Sequence, residues 1–225
     1  MKKMFEVDGK RAKTWNPLGG ECKHHCVYCW VNVLKQRYPA LKEKYSGEPR
    51  IYEAELKKAK RFKEGDTVFV CDCCDLFGEW MPEGVIARVL TEVLYPAAEI
   101  LFLTKNPKQY LNRGFHNRDH ILGATIETDV EYGLSKAPEV NERITAMHNL
   151  NFPRKFISIE PILDFSIFFI EHLKDIAPEF VYIGYDNYPN SHPPLPEPPL
   201  EKTKALIEEL RKFTEVRVKT LRGKR

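Results

Sequence analysis

The chain has 225 residues, of which 43% are hydrophobic, and a formal net charge of +3. This length suits one domain, expected over residues 1–225, and no apolar run approaches the roughly 20 residues that cross a bilayer. The opening residues MKKMFEVDGKRAKTW lack the apolar core and cleavage site of a secretory signal, so we expect a cytoplasmic protein with no membrane partner.

Seven short runs rich in β-branched and aromatic residues predict buried strands. In chain order they cover residues 13–16, 67–71, 99–104, 121–127, 155–160, 180–185 and 216–220. Helical spacing predicts helices over 82–95, 106–113, 135–150, 164–176 and 199–213, with Asn106, Ser135 and Asp164 as N-caps. This alternation indicates an α/β fold with a mostly parallel sheet, either an open doubly wound sheet or a complete or partial barrel. The strand count favours a partial (β/α) TIM-type barrel of about six parallel βα units. The Pro-rich stretch 187–199 predicts a loop.

Polar residues follow these predicted strands at the points where loops begin. In a parallel α/β sheet such positions share one edge, where binding and catalytic sites usually form. The set contains Cys22, Cys26, Cys29, Asp72, Asp75, Thr104, Lys105, Asn106, Glu127, Asp129, Glu160, Asp164, Asp186 and Asn187. Because loop starts are commonly polar and also cap helices, we expect only about half of the set to serve a site.

The six cysteines form two triplets. The first is Cys22, Cys26 and Cys29, and the second is Cys71, Cys73 and Cys74. Cytosolic thiols are normally reduced, and a disulfide framework would scatter its cysteines along the chain. The grouping therefore favours metal or redox chemistry.

The first triplet lies within the stretch ECKHHCVYC. Structural zinc takes four ligands, and a loop this tight does not easily present three thiols and His24 or His25 as a tetrahedron. A cubane iron–sulfur cluster can instead take three thiolates from one compact loop and leave one iron open. Three cysteines within eight residues fit the cluster better than zinc.

The spacing CxxxCxxC, with Tyr28 before the last cysteine, resembles the signature of the radical S-adenosylmethionine (SAM) enzymes. The blocks TWNPLGG, CDLFGEW, FLTKNP, GATIET and SIEPILD look like a phage-associated branch of short, largely uncharacterised members of that superfamily. The CVYC that follows the NP of residues 16–17 is also similar to the spore photoproduct lyase group. Three departures are the gap between Cys22 and Cys26, which is usually longer in the phage branch, the thiols Cys73 and Cys74, where that branch has Met-Ser, and the missing Gly-Gly-Glu of the second strand.

The resemblance implies a [4Fe–4S] cluster on Cys22, Cys26 and Cys29, with S-adenosyl-L-methionine on the open iron. It implies reductive cleavage of SAM to methionine and a 5′-deoxyadenosyl radical that acts on a substrate. Tyr28 would pack beside the adenine side of the cofactor. The partners implied are an unknown substrate and an external electron donor such as a ferredoxin or flavodoxin.

SAM needs acceptors for its ammonium, a cation for its carboxylate and a carboxylate for its ribose. In place of the missing Gly-Gly-Glu, Asp72 and Asp75 are candidates for the ammonium, and Asp75 is preferred because it matches the phage-type block. Lys105 is the candidate for the carboxylate, and Glu127 for the ribose. Each of these residues could instead be a cap or an ion-pair partner.

The second triplet allows three interpretations. If its strand continues, Cys71 and Cys73 face one side and Cys74 the other, so the three cannot meet one ion without a bend. They are then small buried residues, a catalytic thiol or hydrogen donor near the radical, or ligands of a second metal.

A rival function is a zinc-stabilised, non-enzymatic module that uses both cysteine triplets and two basic runs to hold nucleic acid. The first run spans 57–63, on the side where strands begin. The second contains Arg217, Lys219, Arg222, Lys224 and Arg225, which can approach the edge that carries the cysteines.

Overall fold

The structure, a computed structural model, describes residues 6–7, 10–94, 98–115 and 119–222. Its main sheet has seven parallel strands whose spatial order follows the chain. They are Lys13–Trp15 (β1), Thr67–Val70 (β2), Glu99–Thr104 (β3), His120–Thr125 (β4), Lys155–Ile159 (β5), Phe180–Ile183 (β6) and Glu215–Val218 (β7). The sheet curls into a half-barrel.

All seven predicted strand runs coincide with these strands, which confirms the α/β class. The prediction of about six βα units gives one strand fewer than the seven strands of the sheet. Six strands each lead into a helical connection, and β7 follows the last helix and ends the sheet within the described residues.

Helices connect consecutive strands of the sheet. They are Trp30–Arg37 (α1), Pro39–Lys44 (α2), Glu53–Leu56 (α3), Glu83–Glu92 (α4), Lys108–Leu111 (α5), Val140–Asn149 (α6), Phe169–Ile176 (α7) and Leu200–Leu210 (α8), with a 3-10 helix at Lys57–Arg61. The three predicted N-caps are wrong, because the caps of α5, α6 and α7 are Pro107, Glu139 and Phe168. Glu139 forms a reciprocal capping box with Glu142, so α6 begins later than Ser135.

The two faces of the sheet carry separate cores because side chains alternate along each strand. Residues such as Ile100 and Phe102 pack with the helices in the larger core. The other face holds a smaller cluster, here called the aromatic plug. Its members are Ala12, Phe69, Leu101, Ile121, Phe156, Phe180 and Tyr182.

Glycine permits the tight packing of the aromatic plug. Phe156 and Phe180 stack with ring centroids 5.0 Å apart. A Cβ at Gly123 of β4 would lie 2.2 Å from the Phe156 ring, so only glycine lets the ring lie across this strand. The aromatic plug fills the inside of the half-barrel and forms the floor of the space above it.

Two small antiparallel pairs complete the strands, Glu6–Val7 with Lys10–Arg11 and Leu18–Gly19 with Arg50–Ile51. The stretch 187–199 has neither helix nor strand, as predicted. In the described part of the chain no helix is both long and apolar enough to cross a membrane.

Candidate functional site

A cavity of about 220 Å³ lies at the carboxyl ends of the parallel strands. Its floor includes Phe69 of the aromatic plug and Leu103 of β3. Most of the polar residues expected at this edge line the cavity, which confirms that the edge collects them. Asn106, Glu127, Asp129 and Asp164 do not line it. Glu127 lies behind the cavity, and the other three bond to Phe77, Ser166 and Lys202.

The loop of residues 22–29, here called the cysteine loop, forms one wall of the cavity. Cys22, Cys26 and Cys29 all line the cavity as free, partly exposed thiols. Backbone hydrogen bonds from Val27 to Leu134 and from Lys136 to His24 fasten the loop to the segment before α6. The whole triplet is therefore presented to one space.

Burial raises the pKa of the Cys22 and Cys26 thiols. The negative charge of Asp75 raises the pKa of Cys22 further, whereas the positive charge of Lys105 opposes the rise at Cys26. Thiolates at these positions therefore need compensating positive charge, from a bound metal centre or from neighbouring cations.

The second triplet lines the same cavity. Strand β2 ends at Val70, and Cys71 adopts a left-handed backbone conformation with φ of 58°. This residue supplies the bend that an extended strand would lack, so Cys71, Cys73 and Cys74 all reach the cavity. Burial raises the pKa of each of these thiols.

Among the described residues, no group of three or more His, Cys, Asp or Glu side chains is arranged to hold a metal ion. A single zinc ion needs four ligands that meet at one point. A cubane cluster makes a different demand, because each thiolate binds a different iron and the thiols need only border one space. The cysteine loop meets that weaker condition.

Asp75 is buried beneath the cysteine loop and forms a hydrogen bond with His24 of that loop. Nε2 of His24 donates to the carboxylate at 2.7 Å, and Thr104 Oγ1 donates at 2.8 Å. The backbone amides of Phe77 and Lys105 each donate at 2.9 Å. Burial by itself would raise the pKa of Asp75, but His24 and these amides lower it, so the carboxylate is ionised.

Four protein donors thus already bind Asp75, and its contact with a SAM ammonium stays a prediction. Asp72 lines the cavity and accepts from Asn16 Nδ2 at 2.6 Å and from the Cys73 thiol at 3.3 Å, all on Oδ1. Burial raises the pKa of Asp72. A cationic group arriving in the cavity would lower this pKa again.

Glu127 organises a buried ion cluster behind the cavity, here called the Glu127 cluster. One carboxylate oxygen accepts from the Tyr28 hydroxyl and the Lys105 ammonium, and the other accepts from Arg143 at 2.6 Å. The side chains of Glu127 and Arg143 are only 2% and 5% exposed. Both Glu127 oxygens therefore already bind protein donors, and a contact with ribose stays a prediction.

Two cations share this one carboxylate. Burial, with the charge of Arg143, lowers the pKa of Lys105 to about 8, although the neighbouring Cys26 opposes the shift. Lys105 Nζ also lies 2.9 Å from the Tyr28 hydroxyl and lines the cavity. The Glu127 cluster therefore presents excess positive charge beside the cysteine loop.

Sequence reasoning missed Arg143. It lies on α6 among the buried positions Val140, Ile144 and Met147, so an arginine interrupts an apolar helical face. Such a residue is rarely buried without a partner, and this periodicity was the available signal.

The opposite end of the cavity, here called the far wall, contains Ser158, Glu160, Tyr185, Asp186, Tyr188 and Lys219. Lys219 Nζ contacts Glu160 Oε2 at 2.7 Å, and the Ser158 hydroxyl donates to the same oxygen at 3.0 Å. Of the basic tail, Lys219 reaches the cavity as expected, while Arg222 contacts Glu197. Lys224 and Arg225 lie outside the described residues.

Fold and site together define the class: an α/β half-barrel protein with a cysteine-lined cavity at the carboxyl edge of its parallel strands. The chain belongs to the family described as "Protein of unknown function (DUF5131)", whose model matches residues 10–177. No curated protein matches it. The matched segment holds both cysteine triplets and the Glu127 cluster, whereas β6, α8 and β7 follow it.

Proposed function

We propose that this chain is a radical SAM enzyme that binds a [4Fe–4S] cluster through Cys22, Cys26 and Cys29. The observation that carries this proposal is the placement of all three thiols of one loop along one wall of the cavity, beside the excess positive charge of the Glu127 cluster. Three thiolates would otherwise face a large desolvation cost here, since burial raises the pKa of two of them.

When bound, the cluster and SAM would supply the electron transfer and the 5′-deoxyadenosyl radical. The protein would supply orientation and a dry cavity. Lys105 lines the cavity and its positive charge acts on the Cys26 thiol, so it would meet the SAM carboxylate. Tyr28, whose hydroxyl is tied to Glu127, would offer its ring as a fixed surface beside the adenine.

The ammonium of SAM would be met by Asp72 or Asp75. Of the two, Asp72 has fewer described donors, and both of them bind Oδ1. Asp75 would then position His24 and the end of β3. An external electron donor is required to reduce the cluster.

The test is anaerobic purification followed by iron, sulfide and zinc analysis and an assay for 5′-deoxyadenosine with dithionite and SAM. We expect about four irons and four sulfides per chain and SAM cleavage. Zinc without sulfide would overturn the proposal in favour of the zinc-stabilised nucleic-acid-binding module. Iron and sulfide without SAM cleavage would overturn its catalytic half.

A further inference from the structure

We propose that Asp75 is a positioning residue whose carboxylate holds the cysteine loop, through His24, at a fixed spacing from the end of β3 that carries Lys105. The purpose of this spacing, which is to place a cluster and the SAM carboxylate relative to each other, rests on the proposed function. The bridge itself does not, because all of its bonds lie within the protein.

A single oxygen of Asp75 joins the two parts. Oδ2 accepts from His24 Nε2 at 2.7 Å, from Thr104 Oγ1 at 2.8 Å and from the backbone amide of Lys105 at 2.9 Å. His24 belongs to the cysteine loop, whereas Thr104 is the last residue of β3 and precedes Lys105. Because these donors meet at one atom, the loop cannot move relative to β3 without losing a bond.

The carboxylate at this junction is itself held in place. Its other oxygen, Oδ1, accepts from the backbone amide of Phe77 at 2.9 Å, which closes a turn within the segment after β2. The Phe77 carbonyl accepts from Asn106 Nδ2 at 3.1 Å, and the Asn106 amide donates to Thr104 Oγ1 at 2.8 Å. The segment after β2 and the end of β3 thus form one hydrogen-bonded unit, to which His24 attaches the cysteine loop.

The conformation of the cysteine loop depends on attachments of this kind. The loop contains turns but neither helix nor strand, and His25 has a left-handed backbone with φ of 46°. A residue other than glycine rarely adopts this conformation unless its surroundings impose it. Of residues 22–29, all of which the structure describes, only His24 is buried. It lies midway between Cys22 and Cys26, so its attachment bears directly on where these two thiols are held.

Two different interactions of His24 could hold the loop. Its ring packs edge-to-face against Trp80, with ring centroids 4.7 Å apart, and its Nε2 donates to Asp75. The carboxylate is ionised and buried, and a hydrogen bond to such a group contributes more than one between neutral partners. The hydrogen bond, and not the ring packing, is therefore expected to hold the loop.

The experiment measures how fast iodoacetamide alkylates each cysteine of the metal-free protein, with the sites mapped by mass spectrometry. His24→Phe keeps a ring beside Trp80 but removes the donor, and His24→Gln removes the ring but keeps an N–H donor. We expect Cys22 and Cys26 to react about ten-fold faster in His24→Phe than in wild type, and to stay within about three-fold of wild type in His24→Gln. Equal rates in wild type and a folded His24→Phe protein would overturn the proposal.

Thr104→Val is the matched control, because it removes a donor from the same Oδ2 on the β3 side. It should leave the alkylation rates of the loop thiols within about two-fold of wild type. Cys71, which is buried outside the loop, reports global unfolding in every variant. If His24→Phe exposes Cys71 as well, His24→Gln decides, and fast alkylation of Cys22 there with Cys71 still protected would contradict the proposal.

Iron content connects the bridge to the proposed function and keeps the two separable. After anaerobic reconstitution, His24→Phe should retain at most about half of the wild-type iron, and His24→Gln should retain most of it, because groups that orient a metal-binding loop contribute to metal affinity. Wild-type protein without iron would overturn the proposed function and leave the alkylation result standing. Iron in wild type with an equal amount in His24→Phe would overturn the role of the bridge in cluster binding.

Discussion

The two ends of the cavity each contain a nearly buried lysine, and the two lysines have different partners. Lys105 is 12% exposed and shares the single carboxylate of Glu127 with Arg143. Lys219 is 13% exposed and has Glu160 as its carboxylate partner. The Glu127 cluster therefore has excess positive charge beside the thiols, although the ionised Asp75 lies at the same end, and the charge of Lys219 is compensated by Glu160. The difference indicates that Lys105 suits an anionic group, whereas Lys219 already has its countercharge.

The largest expected effect separates the two cysteine triplets. Cys26→Ala should lose most bound iron and all SAM cleavage, because two thiolates are too few to hold a cluster with an open iron. Cys22→Ala and Cys29→Ala should behave alike. Iron analysis and the 5′-deoxyadenosine assay measure this.

The matched controls are Cys71→Ala, Cys73→Ala and Cys74→Ala, which should keep their iron. These thiols line the same cavity, so the comparison tests whether iron binding needs the cysteine loop or only a thiol near the cavity. Full iron retention in Cys26→Ala would remove the cysteine loop as the cluster site.

The next effect concerns stability at the cysteine end. Glu127→Gln leaves the buried Arg143 and Lys105 without a countercharge and should lower the free energy of unfolding by about 3–5 kcal/mol. Urea unfolding measures the loss. Glu83→Gln is the control, since Glu83 pairs with Arg113 but is 72% exposed and should cost less than about 1 kcal/mol. Equal losses in the two variants would show that the Glu127 cluster is not a buried charge centre.

A smaller effect follows from the lowered pKa of Lys105. In the folded protein this pKa is about 8, below its ordinary value of 10.5. Between these two pH values the unfolded chain binds more protons, so the contribution of Lys105 to the free energy of unfolding rises with pH. In metal-free protein, the difference between wild type and Lys105→Met should change by about 1–3 kcal/mol in favour of wild type from pH 8 to 10.

Parallel urea titrations at several pH values test this sign. A difference that stays constant over that range would mean that Lys105 titrates normally. Lys202→Met is the control, because Lys202 is 41% exposed and pairs with Asp164 outside the cavity.

The smallest effect is expected at the basic run of residues 57–63. It belongs to the segment before β2, at the opposite edge of the sheet from the cavity. If duplex DNA binds at the cavity edge, neutralising the five basic residues of this run should change its affinity by less than about two-fold. Each phosphate contact there would contribute a slope of about −0.9 in log K against log salt. If the salt slope of this variant falls by the equivalent of several phosphate contacts, the nucleic-acid-binding alternative would be favoured.

Much of the architecture followed from local sequence. Strand runs such as residues 99–104 are apolar on both faces, and this pattern by itself predicts buried parallel strands. The edge that carries the site followed as well, because polar residues at strand ends must meet there. The close spacing of Cys22, Cys26 and Cys29 likewise made them a group before any folding.

Tertiary structure decided which partners meet across long distances in the chain. Arg143 reaches Glu127 only because α6 packs on the sheet, and Lys219 reaches Glu160 only because β7 completes the sheet beyond β6. The bend at Cys71, which brings the second triplet to the cavity, depends on a left-handed conformation that a cysteine adopts rarely. Local propensities do not encode such pairings, because their free energy comes from burial and compensated charge that exist only once the chain is packed.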